Sequence, residues 1–230
     1  MPDAIYQPLP FQEAIDFFRG KVNVPTRHWN DLWKGMHRRG FMVAGAIQEE
    51  LLADFREAID KALSEGTTLQ DFQKTFDNVV ARYGWTYNGT PGWRSAVIYD
   101  TNLFQSYNAG RYRQQTSPEL LKLRPYLTYR HGDSVHPRPM HQSWDGITLP
   151  ADDPWWDTHY PLNGWGCKCS VFSTSESDLE RMGKSGPDMA PDNGTYLWKD
   201  PKGVEHEIPV GIDPGFDYNP GKMPYDYMGN

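Results

Sequence analysis

Cysteine is scarce in this chain, with two in 230 residues. That count excludes a disulfide framework, and a chain of this length can bury a core without one. Long apolar runs are missing too. The longest, residues 41–47, is far too short to span a bilayer, so no membrane partner is expected. The first residues are acidic and rich in proline, with no basic segment leading into an apolar stretch. No secretory signal is therefore expected, and the place of synthesis reads as intracellular. Basic excess is absent as well: 23 Lys and Arg stand against 30 Asp and Glu, for a net charge of −7. This argues against a dedicated, sequence-independent DNA binder, which needs cations in excess to neutralise phosphates. Six basic residues between positions 111 and 138 face only Glu119 and Asp133, leaving one local basic strip whose ordinary reading is a solvated surface. No Gly-x-Ser-x-Gly, Walker-type loop, Gly-x-Gly-x-x-Gly or His-Glu-x-x-His occurs, which lowers the expectation of a common enzyme.

Aromatic residues are plentiful. Nine Trp and thirteen Tyr compensate for modest numbers of Leu, Ile, Val and Phe, so the core should be unusually aromatic. The expected fold class is α+β, in three stretches. Residues 1–125 read as a helical region. A short helix follows Pro8 and Pro10, and Thr26 is placed to cap a second, with Trp29, Leu32, Trp33 and Met36 at helical spacing. A third is expected over residues 45–65, with Ile47, Leu51, Phe55, Ile59 and Leu63 in steps of four and Gly66 as its stop. Thr68 and Asp71 form a capping-box start for a fourth, which Gly84 ends. A fifth, long one should cover residues 93–115 with Val97, Leu103, Phe104 and Tyr107 on its apolar face.

The texture changes near Pro125. Residues 126–182 read as a small mixed α/β module: strands at 126–130 and 167–174, and a brief helix capped by Ser175 and Asp178. Residues 183–230 contain 15 Gly and Pro but only six Leu, Ile, Val or Phe. They should lack a core of their own and form an extended arm laid against this body or a partner.

Two constellations suggest chemistry. Cys167 and Cys169, at i and i+2 on an expected strand, would point to one face, so both thiolates could reach one metal. With His141 they give three ligands of a tetrahedral structural zinc site, and His136, His159 and Asp145 are candidates for the fourth; His131 lies in the same stretch. The bland alternative is two buried, reduced core thiols and histidines that only make hydrogen bonds. The second constellation, Arg130, Ser173 within Ser-Thr-Ser, and Glu207 within Glu-His-Glu, resembles the signature of ADP-ribosyltransferases. That resemblance implies that Arg and Ser hold the dinucleotide while Glu207 stabilises the charge growing on the ribose. The competing reading is a strand-end turn and a solvated acidic pair.

A wider resemblance covers residues 11–221. The stretches FQEAIDFFRG (from Phe11), FMVAG (from Phe41) and YDTNLFQSYNAG (from Tyr99) resemble the helical half of phage Mu F-like minor head proteins, the phage head morphogenesis family. Downstream, Tyr129-Arg130, Pro139, His141, Asp145-Gly146, DPWW from Asp153, YPLNGWGCKC from Tyr160 and GIDPGFDYNPG from Gly211 follow in the same order. Lys168 stands where the family usually has Arg between the cysteines. The resemblance implies a non-enzymatic minor component of a tailed-phage head, found in the virion and, during assembly, in the host cytoplasm. Its partners would be the portal protein and other head proteins, with contact to packaged DNA. Some relatives carry toxin or enzyme modules beyond the shared region, and none is expected here. Trp155, Trp156 and Trp198 would anchor such contacts if exposed; if they are core, the arm becomes the better interface.

Overall fold

Helical segments whose signals are local form where the sequence places them. In the computed structural model, which describes residues 10–222 except residue 135, helix α1 spans Gln12–Arg19, α2 Glu49–Glu65, α3 Leu69–Tyr83, α4 Pro91–Gln115 and α5 Pro118–Leu123. Pro8 and the last eight residues of the expected arm lie outside the described residues. The Thr68 hydroxyl accepts from the Asp71 N–H while the Asp71 carboxylate accepts from the Thr68 N–H, a full capping box. Gly66 and Gly84 end α2 and α3 in the left-handed conformation. Thr90 caps α4 ahead of Pro91. Ile15, Phe18, Leu52, Phe55, Phe72, Phe76 and Ile98 from α1–α4 bury one another as a first core.

Helix α4 is enclosed on several sides rather than along one stripe. Ser95, Gln105, Ser106, Asn108 and Gln115 are buried together with Ile98 and Leu103. Its first half serves the first core, while Phe104 and Tyr112 pack against a second. Gln115 joins the two halves of the molecule: its Nε2 donates to the Val171 carbonyl at 2.8 Å, and its Oε1 accepts from the Tyr160 hydroxyl at 2.7 Å.

The second core belongs to a three-stranded antiparallel sheet. The short strands β1 (Val22–Asn23) and β2 (Gly40–Phe41) pair in parallel in the first half. Strand β3 (Tyr126–Arg130) then lies centrally between β4 (Thr148–Pro150) and β5 (Ser170–Thr174). One face, with Leu127, Tyr129, Leu149 and Val171, packs on Trp144, Trp155 and Trp156. The other buries three threonines: the Thr128 hydroxyl lies 2.9 Å from that of Thr148 and 2.6 Å from that of Thr174. One-turn helices α6 (Pro139–Ser143) and α7 (Trp156–His159) sit in the connection, and α8 (Glu176–Arg181) follows with the expected Ser175–Asp178 capping box.

Three expectations need correction. No α-helix follows Thr26. The Asp31 carboxylate accepts from the N–H groups of Arg27 and His28, turning the chain, and a 3₁₀ turn covers Lys34–Arg38. Met36 is exposed, and Trp29 and Trp33 turn instead toward Trp198, at ring distances of 5.9 and 5.4 Å. Tertiary aromatic contacts thus override a helical spacing. Helix α2 starts four residues later than expected, leaving Ile47 exposed. Strand β5 starts at Ser170, so both cysteines precede it, in a loop.

The C-terminal stretch is more structured than a bare arm. Strands β6 (Thr195–Lys199) and β7 (Glu205–Pro209) pair as a hairpin. The chain then returns across the body: Ile208, Ile212 and Phe216 complete the second core, while Lys34 pairs with Asp217 at 2.6 Å and Arg38 donates to the Asn219 carbonyl at 2.8 Å. Among its described residues no separate hydrophobic cluster forms. Its buried side chains pack against residues far upstream.

Candidate metal centre

Three segments meet around His141. Helix α6, opened by Pro139, is a single turn that buries the imidazole and stacks it on Trp144, with ring centres 5.1 Å apart. The loop before β5 brings Cys167 and Cys169, both buried and unbridged. His141 Nδ1 lies 3.8 Å from the Cys167 sulfur and 3.7 Å from that of Cys169. All three donor atoms fall within 4.8 Å of one another. Ordinary Zn–S and Zn–N bonds at tetrahedral angles separate sulfur from nitrogen by about 3.6 Å. The group therefore has the spacing and the chemistry of a zinc-binding set.

The third segment orients the first. His141 Nε2 lies 2.8 Å from the carbonyl of Gly211, which comes from the turn after β7. A carbonyl can only accept, so Nε2 carries the proton and Nδ1 turns its lone pair toward the sulfurs, as metal-bound histidines require. Residue 211 must be glycine for this approach. Its φ is +96°, and a Cβ there would come within 2.7 Å of the Trp144 ring. Gly132 is as tightly placed, because a Cβ would overlap the Lys168 carbonyl; its own N–H points at the Cys169 sulfur. Asp213 ties the same turn to the cysteine loop by accepting from the Trp165 N–H and from Arg138, each at 2.9 Å.

The two thiols oppose each other electrostatically. Cys169 is drawn down by the hydrogen bond from Cys167, helped by His141, Tyr129 and the Gly132 N–H. Cys167 is pushed up by its bond to Cys169 and by burial. A cation that takes both thiolates would replace this contact between the sulfurs and release their protons.

The proposed fourth ligands are not brought in. Among the described residues the donor group consists of His141, Cys167 and Cys169. His136 is exposed. Asp145 is turned away to accept from the His131 N–H at 2.8 Å. His159 is buried but stacks on Trp155 at 4.2 Å and bonds through Nδ1 to Thr158 and the Trp155 carbonyl. Burial holds it neutral, with its pKa lowered to about 4. Asn163, which accepts from the Tyr129 hydroxyl at 3.0 Å and through its carbonyl from the Asp213 N–H at 2.9 Å, and Gly211 carry no role in the sequence reading. Both lie in stretches that carried the family resemblance, the one signal that could have pointed to them.

Arg130, Ser173 and Glu207 do not converge. Leu127 faces Ser173 and Arg130 faces Ser170 across the β3–β5 pair. An odd number of residues apart, Arg130 and Ser173 point to opposite faces of the sheet. Glu207 lies on the separate β6–β7 hairpin, where it accepts from the Thr195 hydroxyl. Trp155 and Trp156 are core, and Trp198 is half-buried. In the basic strip, Arg124 pairs with Asp178 at 2.7 Å and Arg138 with Asp213. No helix among the described residues is long and apolar enough to cross a membrane.

The chain is 33% identical over 190 residues to the putative capsid assembly protein F of Escherichia phage Mu, which covers 76% of this chain and 43% of that protein. It is 32% identical over 169 residues to the Mu-like prophage FluMu F protein of Haemophilus influenzae, covering 69% of this chain and 40% of that protein. It thus spans about two-fifths of the length of these relatives. No solved structure matches it. The profile of the family described as Phage Mu protein F like protein matches residues 53–172, from α2 through both cysteines into β5. With more than half of its residues so matched, the chain belongs to the phage Mu protein F-like family.

Proposed function

We propose that this chain is a head-morphogenesis protein of a tailed bacteriophage, acting in capsid assembly rather than as an enzyme. The observation that carries this is its 33% identity, over 76% of its length, to the putative capsid assembly protein F of phage Mu. In this reading it docks at the portal vertex in the host cytoplasm, aids prohead assembly and the packaging or ejection of DNA, and stays with the virion. The separation of Arg130, Ser173 and Glu207 supports a non-enzymatic role.

The expected divisions near residues 126 and 183 take on functional meaning here. The helices offer docking surface, the middle module is stiffened, and the last segment straps both together. We propose that His141, Cys167 and Cys169 hold a structural zinc ion, which cross-links α6 to the loop before β5. The spacing of the donors and the Gly211 carbonyl behind the imidazole support that assignment.

Co-expression with the portal and major head proteins of the same phage tests the main reading. Co-sedimentation with proheads, lost when the portal is omitted, is the expected outcome. Protein that stays in the soluble fraction at every prohead concentration would refute it.

A further inference from the structure

Between the first core and the cysteine loop lies a cavity of about 400 Å³ that the zinc reading does not use. Its walls come from α4, from the segment holding Trp29 and Leu32, and from Trp165, Phe216 and Tyr218. It exists because the C-terminal chain returns across the body. Apolar side chains make most of the lining, and the indoles of Trp93 and Trp165 remain substantially exposed.

The charges in this lining are of one sign. Lys21 and Arg94 are its basic side chains, burial holds His37 neutral, and no Asp or Glu contributes, although the chain as a whole carries a net charge of −7. Lys21 is buried, its ammonium donating to the His37 carbonyl at 2.8 Å and to Gln105 Oε1 at 2.9 Å. The same nitrogen lies 4.8 Å from the centre of the Phe17 ring. Arg94 donates through Nη2 to the Ala44 carbonyl at 2.6 Å, while its buried Nε has no partner.

We infer that this cavity captures the C-terminal residue of a partner polypeptide, with an apolar side chain against the indoles and its terminal carboxylate directed at Arg94 and Lys21. The volume admits one or two residues, which suits a chain end rather than a helix or a folded surface. A carboxylate complements the Arg94 guanidinium, in a setting where charge-assisted bonds are strong. A nucleic-acid strand fits less well, because its repeated phosphates need a basic track and this chain is acidic. The inference deepens the assembly reading and rests on it for the source of the partner, but the cavity chemistry stands alone.

Tryptophan fluorescence and calorimetry with Ac-Gly-Gly-X tripeptides, where X is Val, Leu, Phe, Tyr or Trp, test it on the full chain. At least one free acid should bind saturably and at least tenfold more tightly than its C-terminal amide. Arg94→Gln should weaken that binding tenfold or more. Since Arg94 also holds the Ala44 carbonyl, Thr101→Trp, which fills the cavity from α4, is the second variant; it should abolish binding with circular dichroism and melting unchanged. Equal binding of acid and amide, binding of an oligothymidylate but of no peptide, or no saturable binding across the panel would each overturn the proposal. Prohead sedimentation separates the two readings. Peptide binding without prohead association removes the assembly role alone, and prohead association without peptide binding removes the pocket alone.

Discussion

The carbonyl of Gly211 accepts from Nε2 of His141 at 2.8 Å, across 70 residues of sequence. One hydrogen bond thus connects the C-terminal return of the chain to the only histidine whose ring faces both cysteines among the described residues. It fixes the tautomer in which Nδ1 is free to bind a cation, and its geometry depends on a residue without a side chain. The strap and the candidate metal-binding group are one construction.

Metal content should follow this cluster. Elemental analysis of untagged protein is expected to find about one zinc per chain. The double variant Cys167→Ser/Cys169→Ser should lose it and melt at a clearly lower temperature, since binding energy at such a site is folding energy. His141→Ala should do the same. Zinc-free wild type with variant-like melting would return the cysteines to plain core packing.

Gly211→Ala is expected to destabilise by about 2 kcal/mol, from the left-handed backbone and the close Trp144 ring together. Urea denaturation would measure this. If zinc is present, the variant should also release it to a chelator faster, because the imidazole loses its fixed partner. A control at Gly183, whose φ is positive but whose surroundings are open, should cost less.

The buried threonines make a second test. Thr128→Val keeps the shape but removes the hydroxyl shared with Thr148 and Thr174, so a loss of about 1–3 kcal/mol is expected. Adding Thr174→Val should cost much less than its single effect, because the partner is already gone. Strict additivity in that double-mutant cycle would show that the three hydroxyls act separately.

His37 predicts a pH dependence. Burial, with the nearby Lys21 charge, lowers its pKa from 6.5 to about 4. Between those values the unfolded chain binds a proton that the folded chain refuses, so stability falls as pH drops from 6.5 toward 4. Allowing for its partial exposure, this single group should account for about 1–2 kcal/mol. His37→Gln should flatten the profile of melting temperature over that window. Lys21 acts higher up: burial lowers its pKa to about 7, so its burden on the fold should ease as pH rises from 7 toward 10.5.

Much of the helical half and the central strand was legible because its signals act over three or four residues. The Thr68–Asp71 and Ser175–Asp178 boxes, the stops at Gly66 and Gly84, and the alternation in β3 all fell where the residues placed them. Order of motifs also carried the family, and residue chemistry alone selected His141, Cys167 and Cys169. The rest was decided by contacts between distant segments. Trp29 and Trp33 abandoned a helical spacing to meet Trp198, and Asp145 and His159 were claimed by the His131 N–H and by Trp155 before any metal could use them. The chain after residue 183, which composition marks as coreless, became buried through Ile208, Ile212 and Phe216 against residues far upstream. Local propensity is written in neighbouring side chains, whereas the partner of a buried polar group depends on which segments pack together, and only the folded chain determines that.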